Sequence, residues 1–585
     1  MSAYDTALDD LMTKPSGESF EVRAARRIAR WEHWLPQLSK AQLSLIGVLC
    51  AIFVLTSLFP LHHTDLWGHL AYGRHIVENG TLPTVDPLGE AAAGETFTNV
   101  SWLAQAAGYQ LWKHAGPGGL QLAHVLLVTL AIGAVILAIR VQRVALGWAV
   151  AGGAIAYLLA MPISGVIRPQ LFGMIGLPLT LVALSLLPTR RLPLLWLPLM
   201  FKLWCNVHGS FVLGFVVIGC YLASGVLAAA KQQGLSSIWK EMVVRRTALL
   251  LALSVAATGL NPQGFGLLFS VLTFGNHSNL QSIVEWHPTV LASLTGGLFF
   301  GSLLVTGILI RTSRRRFSIY EVLLLITFAV ATLLAMRMLT WWAIIWPVVM
   351  TPHLAAVFGG VSANATSRLP LRSKTEITPL VGDRTAMNTL IAVAIVFVAL
   401  VVSPVGDAVV TGQERAEAMV VSDETPVILA DTIDRLEITG KIFAPMKWAD
   451  YLLWHADGSV SPLVFSHVHR ITSNTWQDYQ RLGQGAEGWA AVIARHQLTH
   501  LVLDHEDNHR LILRLREQAD AYRVVHRDQR GLIVEVLPPT ATELQPGEQH
   551  VKKSEHATGM ASPSVKVTKH SEPTATLPAR SSNKS

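Results

Sequence analysis

The sequence predicts a polytopic α-helical membrane protein of about eleven transmembrane helices, followed by a small α/β domain. Three observations carry this. Apolar runs of roughly 18 or more residues, each long enough to cross a bilayer, recur between residues 41 and 405. The 585 residues are 51% hydrophobic and only 15% charged, with a mean hydropathy of +0.41, which lies outside the range of soluble domains. Beyond residue 405 the pattern changes to short apolar runs alternating with segments of helical period, as in a soluble α/β domain.

Residues 1–40 are polar and carry Arg23, Arg26, Arg27 and Arg30, with Trp31 and Trp34 close behind. This pattern predicts a cytoplasmic amphipathic helix on the membrane surface. Some 40 polar residues before the first apolar run are too long an n-region for a cleavable signal, so that run is expected to stay as an anchor. Spans are expected near 41–60, 119–139, 144–161, 170–187, 192–206, 209–230, 247–260, 293–310, 318–336, 338–358 and 387–405. A long loop, 61–118, follows the first.

The net charge of +7 does not mark a nucleic-acid binder, because the cations sit in short clusters between apolar runs. Alternate loops hold 22 Lys and Arg against 5 in the opposite set. That imbalance predicts a cytoplasmic N-terminus and places the 61–118 loop outside. The three cysteines lie in or beside apolar runs with no metal-like spacing, and read as small buried residues. Trp102, Trp112, Trp286, Trp341 and Trp342 read as an interfacial belt.

After the last span, residues 406–538 read as an extracytoplasmic α/β domain. Strands are expected at Pro426–Leu429, Leu463–Phe465, Leu498–Leu503 and Leu532–Val536, with helices at Trp476–Leu482, Trp489–His496 and Asp507–Ala519. Residues 539–585 are rich in Ser, Thr, Pro, Lys and His and predict a disordered tail.

Polar groups concentrate in the loops on one face. The first outer loop holds His62, His63, Asp65, His69, Arg74, His75 and Asp86, at the edge of a span where such groups are costly unless they serve a site. Arg168, Asn206, His208, Glu285 and Arg337 join them from separate loops by the same topology. Asp65 opens a helical pattern over Asp65–Asn79 and could simply cap it; Asp86 precedes Pro87 in a turn where Asp is common for conformational reasons. The four histidines match no zinc spacing, so no metal site is assigned. Each arginine suits either an interfacial anchor or a phosphate clamp.

The run Asp65-Leu66-Trp67-Gly68-His69-Leu70, continuing through Gly73-Arg74, Gly80, Pro83 and Asp86-Pro87, resembles the first outer loop of GT-C superfamily membrane glycosyltransferases. That superfamily includes protein O-mannosyltransferases, the aminoarabinose transferase of lipid A and oligosaccharyltransferases. The segments Trp204-Cys205-Asn206-Val207-His208-Gly209 and Asn261-Pro262-Gln263-Gly264 are similar to later motifs of uncharacterised bacterial GT-C-like proteins. The resemblance spans about 41–405. It implies a GT-C-like fold in a bacterial cytoplasmic membrane and an inverting sugar transfer at the outer face. The donor would be a polyprenyl-phosphate-linked sugar, and the acceptor a glycan, lipid or protein; membrane lipids are the other partner and nucleic acid is not one. By the same resemblance Asp65 would be the base, or would orient the acceptor if a metal takes part, and Asp86 would be a second carboxylate. His69, Arg74, Arg168, Asn206, His208, Glu285 and Arg337 would line the substrate. The family's usual acidic pair is replaced here by Asp65 followed by Leu66-Trp67-Gly68, so no cofactor is assigned and a divalent metal stays open. The alternative is a non-catalytic or transporter-like protein of envelope polysaccharide assembly.

Overall fold

A computed structural model of the chain describes residues 35–61, 64–88, 97–359, 384–412 and 420–538. The N-terminal surface helix and the C-terminal tail expected from the sequence lie outside these residues, as do His62 and His63.

Each of the eleven apolar segments is a helix. They are α1 (Lys40–Ser57), α3 (Trp102–Arg140), α4 (Leu146–Ser164), α5 (Gln170–Leu186), α6 (Pro193–Val207), α7 (Phe211–Gln233), α8 (Met242–Thr258), α10 (Leu294–Thr312), α11 (Ile319–Leu334), α12 (Leu339–Phe358) and α13 (Ala386–Val402). Between them lie α2 (Thr64–Asn79) and α9 (Gly266–Thr273). Among the described residues, five helices are long and apolar enough to cross a membrane: α1, α3, α7, α10 and the Met336–Phe358 stretch containing α12. The others run 15–17 residues, apart from α4, whose 19 include a proline near the end. At 1.5 Å per residue a 15–17-residue helix covers roughly 23–26 Å, a little short of the hydrocarbon core.

Lipid is as apolar as leucine, so packing between spans needs more than hydrophobic burial. The indole N–H groups of Trp342 and Trp346 on α12 donate to Ser302 Oγ (2.7 Å) and Thr306 Oγ1 (2.8 Å) on α10, two contacts one turn apart. Trp341 and Trp342 therefore lie in the bundle core, 4% and 0% exposed, and not in an interfacial belt. The Trp342 N–H has a protein partner in place of a headgroup, and Trp341 is buried among the core residues of the bundle. At the other edge α13 packs along α1, and the two are joined at their starts by a short antiparallel pair, β1 (Leu38–Ser39) with β2 (Arg384–Thr385).

The end of the expected 61–118 loop is helical, because α3 begins at Trp102. Gly116 breaks it at φ 56°, a value L-residues rarely adopt, and Pro117 follows. Residues 102–115 thus form a separate helical arm that packs against α2 before the chain turns into the span.

After α13 and a short helix, α14 (Pro404–Thr411), the α/β domain begins at Val420. Its elements are α15 (Val427–Arg435), β3 (Gly440–Phe443), α16 (Met446–His455), β4 (Val460–Pro462), α17 (Ser473–Gly483), α18 (Trp489–His496), β5 (His500–Asp504), α19 (His509–Arg516), β6 (Tyr522–Arg527) and β7 (Gly531–Val536). The sheet order is β4-β3-β5-β7-β6, parallel on the β4-β3-β5 side and antiparallel through β7 and β6. The segment Pro426–Leu429, expected as a strand, is the start of α15. Leu429, Ala430 and Ile433 bury one helical face there, and four apolar residues are too few to reveal the period. The strand expected at Leu463–Phe465 ends three residues earlier, which leaves 463–472 as a connection with one 3-10 turn at Val468–Arg470.

This domain sits on the first loop. Leu61 N–H donates to Val420 O and Ser422 N–H to Leu61 O, forming a parallel bridge. The α2 residues Leu66, Trp67, Leu70 and Ala71 share a buried core with Trp448, Tyr451 and Leu452 of α16.

Candidate active site

The helix α2 presents two faces. One is the apolar stripe just described; the other carries Asp65 and His69, one turn apart, into a cavity of about 1320 Å³. Arg168, His208, Glu285 and Arg337 line the same cavity. Six residues from five separate segments of sequence therefore meet in one space.

Arg168 holds the centre. It precedes Pro169, which disfavours helix at position 168 and delays α5 until Gln170. Its Nε lies 2.9 Å from Asp65 Oδ2 and its Nη1 2.9 Å from Glu285 Oε1. Burial works against the charged guanidinium, yet the two carboxylates outweigh it and hold the Arg168 pKa above its ordinary value. Arg337 comes from the turn between α11 and α12 and lies over the Trp286 ring, 4.3 Å from its centroid. That turn is tied to the Glu285 segment where Met336 N–H donates to His287 O at 2.9 Å.

The two histidines are neutral, and their surroundings fix which nitrogen carries the proton. Gln105 Nε2 lies 3.1 Å from His69 Nδ1, and Asn99 Nδ2 donates to Gln105 Oε1 at 2.6 Å, which orients the Gln105 amide. Ser210 N–H donates to His208 Nδ1 at 3.1 Å, and Trp204 Nε1 donates to Ser210 Oγ at 3.0 Å. In both rings Nδ1 accepts, so Nε2 carries the hydrogen. Burial lowers both pKa values to about 3; His467 is the next cause for His69, and the Arg337 charge for His208.

Three expected site residues lie elsewhere. Asp86 is buried behind the wall, where it accepts from Tyr72 Oη (2.9 and 3.0 Å) and Leu88 N–H (3.0 Å), with Arg470 Nε 3.9 Å away. Arg74 faces the α/β domain: Nη2 donates to Trp454 O at 3.0 Å, Nη1 pairs with Asp457 at 3.0 Å, and the guanidinium lies over the Trp454 ring. Asn206 accepts from Trp102 Nε1 at 2.8 Å and donates to Lys202 O and Leu260 O, beside a smaller pocket that also contains Lys202.

The α/β domain supplies residues that the sequence reading passed over. Met446 and Lys447 follow β3, and the Ser466–Arg470 segment follows β4; all line the cavity. Both positions are at the carboxyl ends of parallel strands, where α/β sheets commonly place ligand sites. The 466–470 segment is held from two sides. Asp450 on α16 accepts from Ser466 N–H (2.8 Å) and Ser466 Oγ (2.6 Å), while Asn279 Nδ2 donates to Val468 O (3.0 Å) and Ile471 O (2.7 Å). The His467 ring stands edge-on to His69, with centroids 5.6 Å apart. Burial pushes the Asp450 carboxyl up to about 7, against the hydrogen bonds from Ser466 and the Gly68 N–H and with the help of the Asp65 charge. The signal in the sequence was one acidic residue in the otherwise aromatic and aliphatic face Trp448-Ala449-Asp450-Tyr451-Leu452.

Among the described residues no group of three or more His, Cys, Asp or Glu side chains is arranged to hold a metal ion. The Arg168 guanidinium pairs with both Asp65 and Glu285.

No family model matches the chain, and no curated protein compared with it matches. Similar solved structures exist in the GT-C superfamily. One is the oligosaccharyltransferase AglB from Archaeoglobus fulgidus, in complex with an inhibitory peptide and a dolichol-phosphate; identity is 12%, the TM-score 0.48, and the match covers 79% of this chain and 69% of that one. Another is ArnT from Cupriavidus metallidurans bound to undecaprenyl phosphate, at 14% identity and a TM-score of 0.43, over 84% of this chain and 97% of that one. Neither score reaches 0.5, so the chemistry below rests on the residues of this chain.

Proposed function

We propose that the chain is a membrane glycosyltransferase that moves a sugar from a polyprenyl-phosphate-linked donor to a hydroxyl-bearing envelope acceptor at the outer face of the cytoplasmic membrane. The observation that carries this reading is the Asp65–Arg168–Glu285 ion-pair chain, with Arg337 beside it, in one cavity at the end of a helical bundle. A carboxylate can take the acceptor proton as the acceptor oxygen attacks the anomeric carbon. Guanidinium groups aimed at the departing phosphate stabilise the charge that develops there. The Nε2–H groups of His69 and His208 can donate to sugar hydroxyls without adding charge. The dolichol-phosphate and undecaprenyl phosphate bound by AglB and ArnT are of the chemical class proposed here for the donor.

Asp65→Asn tests the role of the base. It keeps the side-chain shape and removes proton acceptance, so membranes supplied with a lipid-linked donor should lose about 10²-fold or more in transfer rate. Full transfer by the Asn variant would rule out Asp65 as the base.

A further inference from the structure

We propose that Arg168 stands where a divalent cation would otherwise bridge Asp65 and Glu285, so that the cavity works without a metal and takes a lipid donor with a single phosphate. This rests on the transferase reading above. Both carboxylates already contact one guanidinium, each at 2.9 Å, and the Arg168 side chain is only 16% exposed. A hard cation needs several oxygens at roughly 2.0–2.6 Å. To reach these two it would have to displace a buried group of like charge. Asp450, whose carboxyl feels the Asp65 charge, is occupied by Ser466, and the Nδ1 atoms of His69 and His208 are occupied by Gln105 and Ser210.

The charges favour the same conclusion. The charged side chains that line the cavity, Asp65, Glu285 and Glu424 against Arg168, Arg337, Lys447 and Arg470, sum to +1, and His69 and His208 are neutral. A sugar joined to a lipid through one phosphate carries one negative charge, which the cavity's own charge offsets; through a diphosphate it carries two, one more than the lining balances. In the transfer step the acceptor oxygen bonds to the anomeric carbon, and the carbon–oxygen bond to the phosphate breaks with its electron pair on the phosphate. The acceptor proton passes to Asp65. The phosphate gains one negative charge as Asp65 loses one. Arg168, relieved of its pairing with Asp65, can turn its charge to the phosphate in the same step.

Two binding measurements on the purified full-length protein in micelles test this, and neither needs sugar transfer. Mn²⁺ is titrated into chelator-treated protein and read by electron paramagnetic resonance; no saturable binding is expected. Arg168→Gln, with both carboxylates kept, should gain one Mn²⁺. In chelator, undecaprenyl phosphate should stabilise the protein against heat at about tenfold lower concentration than undecaprenyl diphosphate. Saturable Mn²⁺ binding by the unaltered protein that is lost in Glu285→Gln would overturn the proposal. So would equal stabilisation by the two lipids, or a folded Arg168→Gln protein that binds no Mn²⁺. If Arg168→Gln does not fold, the unaltered protein and the lipid pair still decide. Failure to detect transfer with any donor would count against the transferase reading alone.

Discussion

Gly68→Ala is the most demanding test of how the α/β domain positions the site. A methyl group built on Gly68 would lie 2.2 Å from Asp450 Oδ2 and 3.0 Å from its Cγ. Non-bonded contacts settle beyond about 3.3 Å, so α2 and α16 must separate by about 1 Å. Asp450 cannot yield instead, since it is buried and pinned by two hydrogen bonds from Ser466. Overpacking of this kind costs about 1–3 kcal/mol. Asp65 sits one turn before Gly68 on the same rigid helix, while Arg168 belongs to another loop, so the displacement opens the 2.9 Å ion pair. A misplacement of about 1 Å lowers the rate on the order of 10²-fold. Tryptophan fluorescence during denaturation in micelles reads the first effect, and transfer in membranes the second. Adding Asp450→Ala removes the obstructing carboxylate, so the two changes should be non-additive by about 1–2 kcal/mol. The reasoning fails if Gly68→Ala unfolds within about 0.5 kcal/mol of the parent and transfers at the parental rate.

Three other outcomes are expected. Arg74→Ala should lower stability by about 1–2 kcal/mol through the lost Trp454 and Asp457 contacts yet leave transfer near parental; a large fall in rate with normal stability would return Arg74 to the substrate. Asp450 has its folded value raised from 3.8 to about 7, so the folded state binds its proton more tightly than the unfolded chain. The stability this contributes is complete below pH 4 or so and is lost as the pH rises to about 7, with an upper bound of about 4 kcal/mol. Unfolding at pH 5 and pH 8 should show that slope, and Asp450→Asn should flatten it. Finally, His69 and His208 should stay neutral throughout the range from pH 5 to 7, so neither should give a limb to the pH–rate profile. A limb abolished by His69→Gln or His208→Gln would contradict this.

Asp65 with His69 was legible because a spacing of four places both on one helical face. Arg168 was legible as a charge between two spans, although only the fold reveals its two carboxylate partners. The helices announced themselves through length and hydropathy. What stayed hidden were contacts made across long stretches of chain. Nothing local in Ser466–Arg470 shows that these residues face a helix some 400 positions earlier, and an isolated strand reading of Leu463–Phe465 drew attention away from them. Asp86 has the same composition-level credentials as Asp65, and only its hydrogen bonds from Tyr72 and Leu88 separate the two. The tryptophans misled because an indole at a span's end suits the headgroup region and a polar partner inside the bundle equally well.

The joint between Trp67 and Tyr451, with ring centroids 4.9 Å apart, joins positions separated by 451 − 67 = 384 residues. At about 5–20 residues per second of synthesis, the apolar stripe of α2 waits roughly 20–80 s for its cover. Through that interval Leu66, Trp67 and Leu70 are covered on one side by Tyr109 and Trp112 of the helical arm, and the side that meets α16 stays bare. Nascent chains with every span inserted therefore still lack the Ser466–Arg470 wall. The cavity is therefore complete only once the last domain has been made.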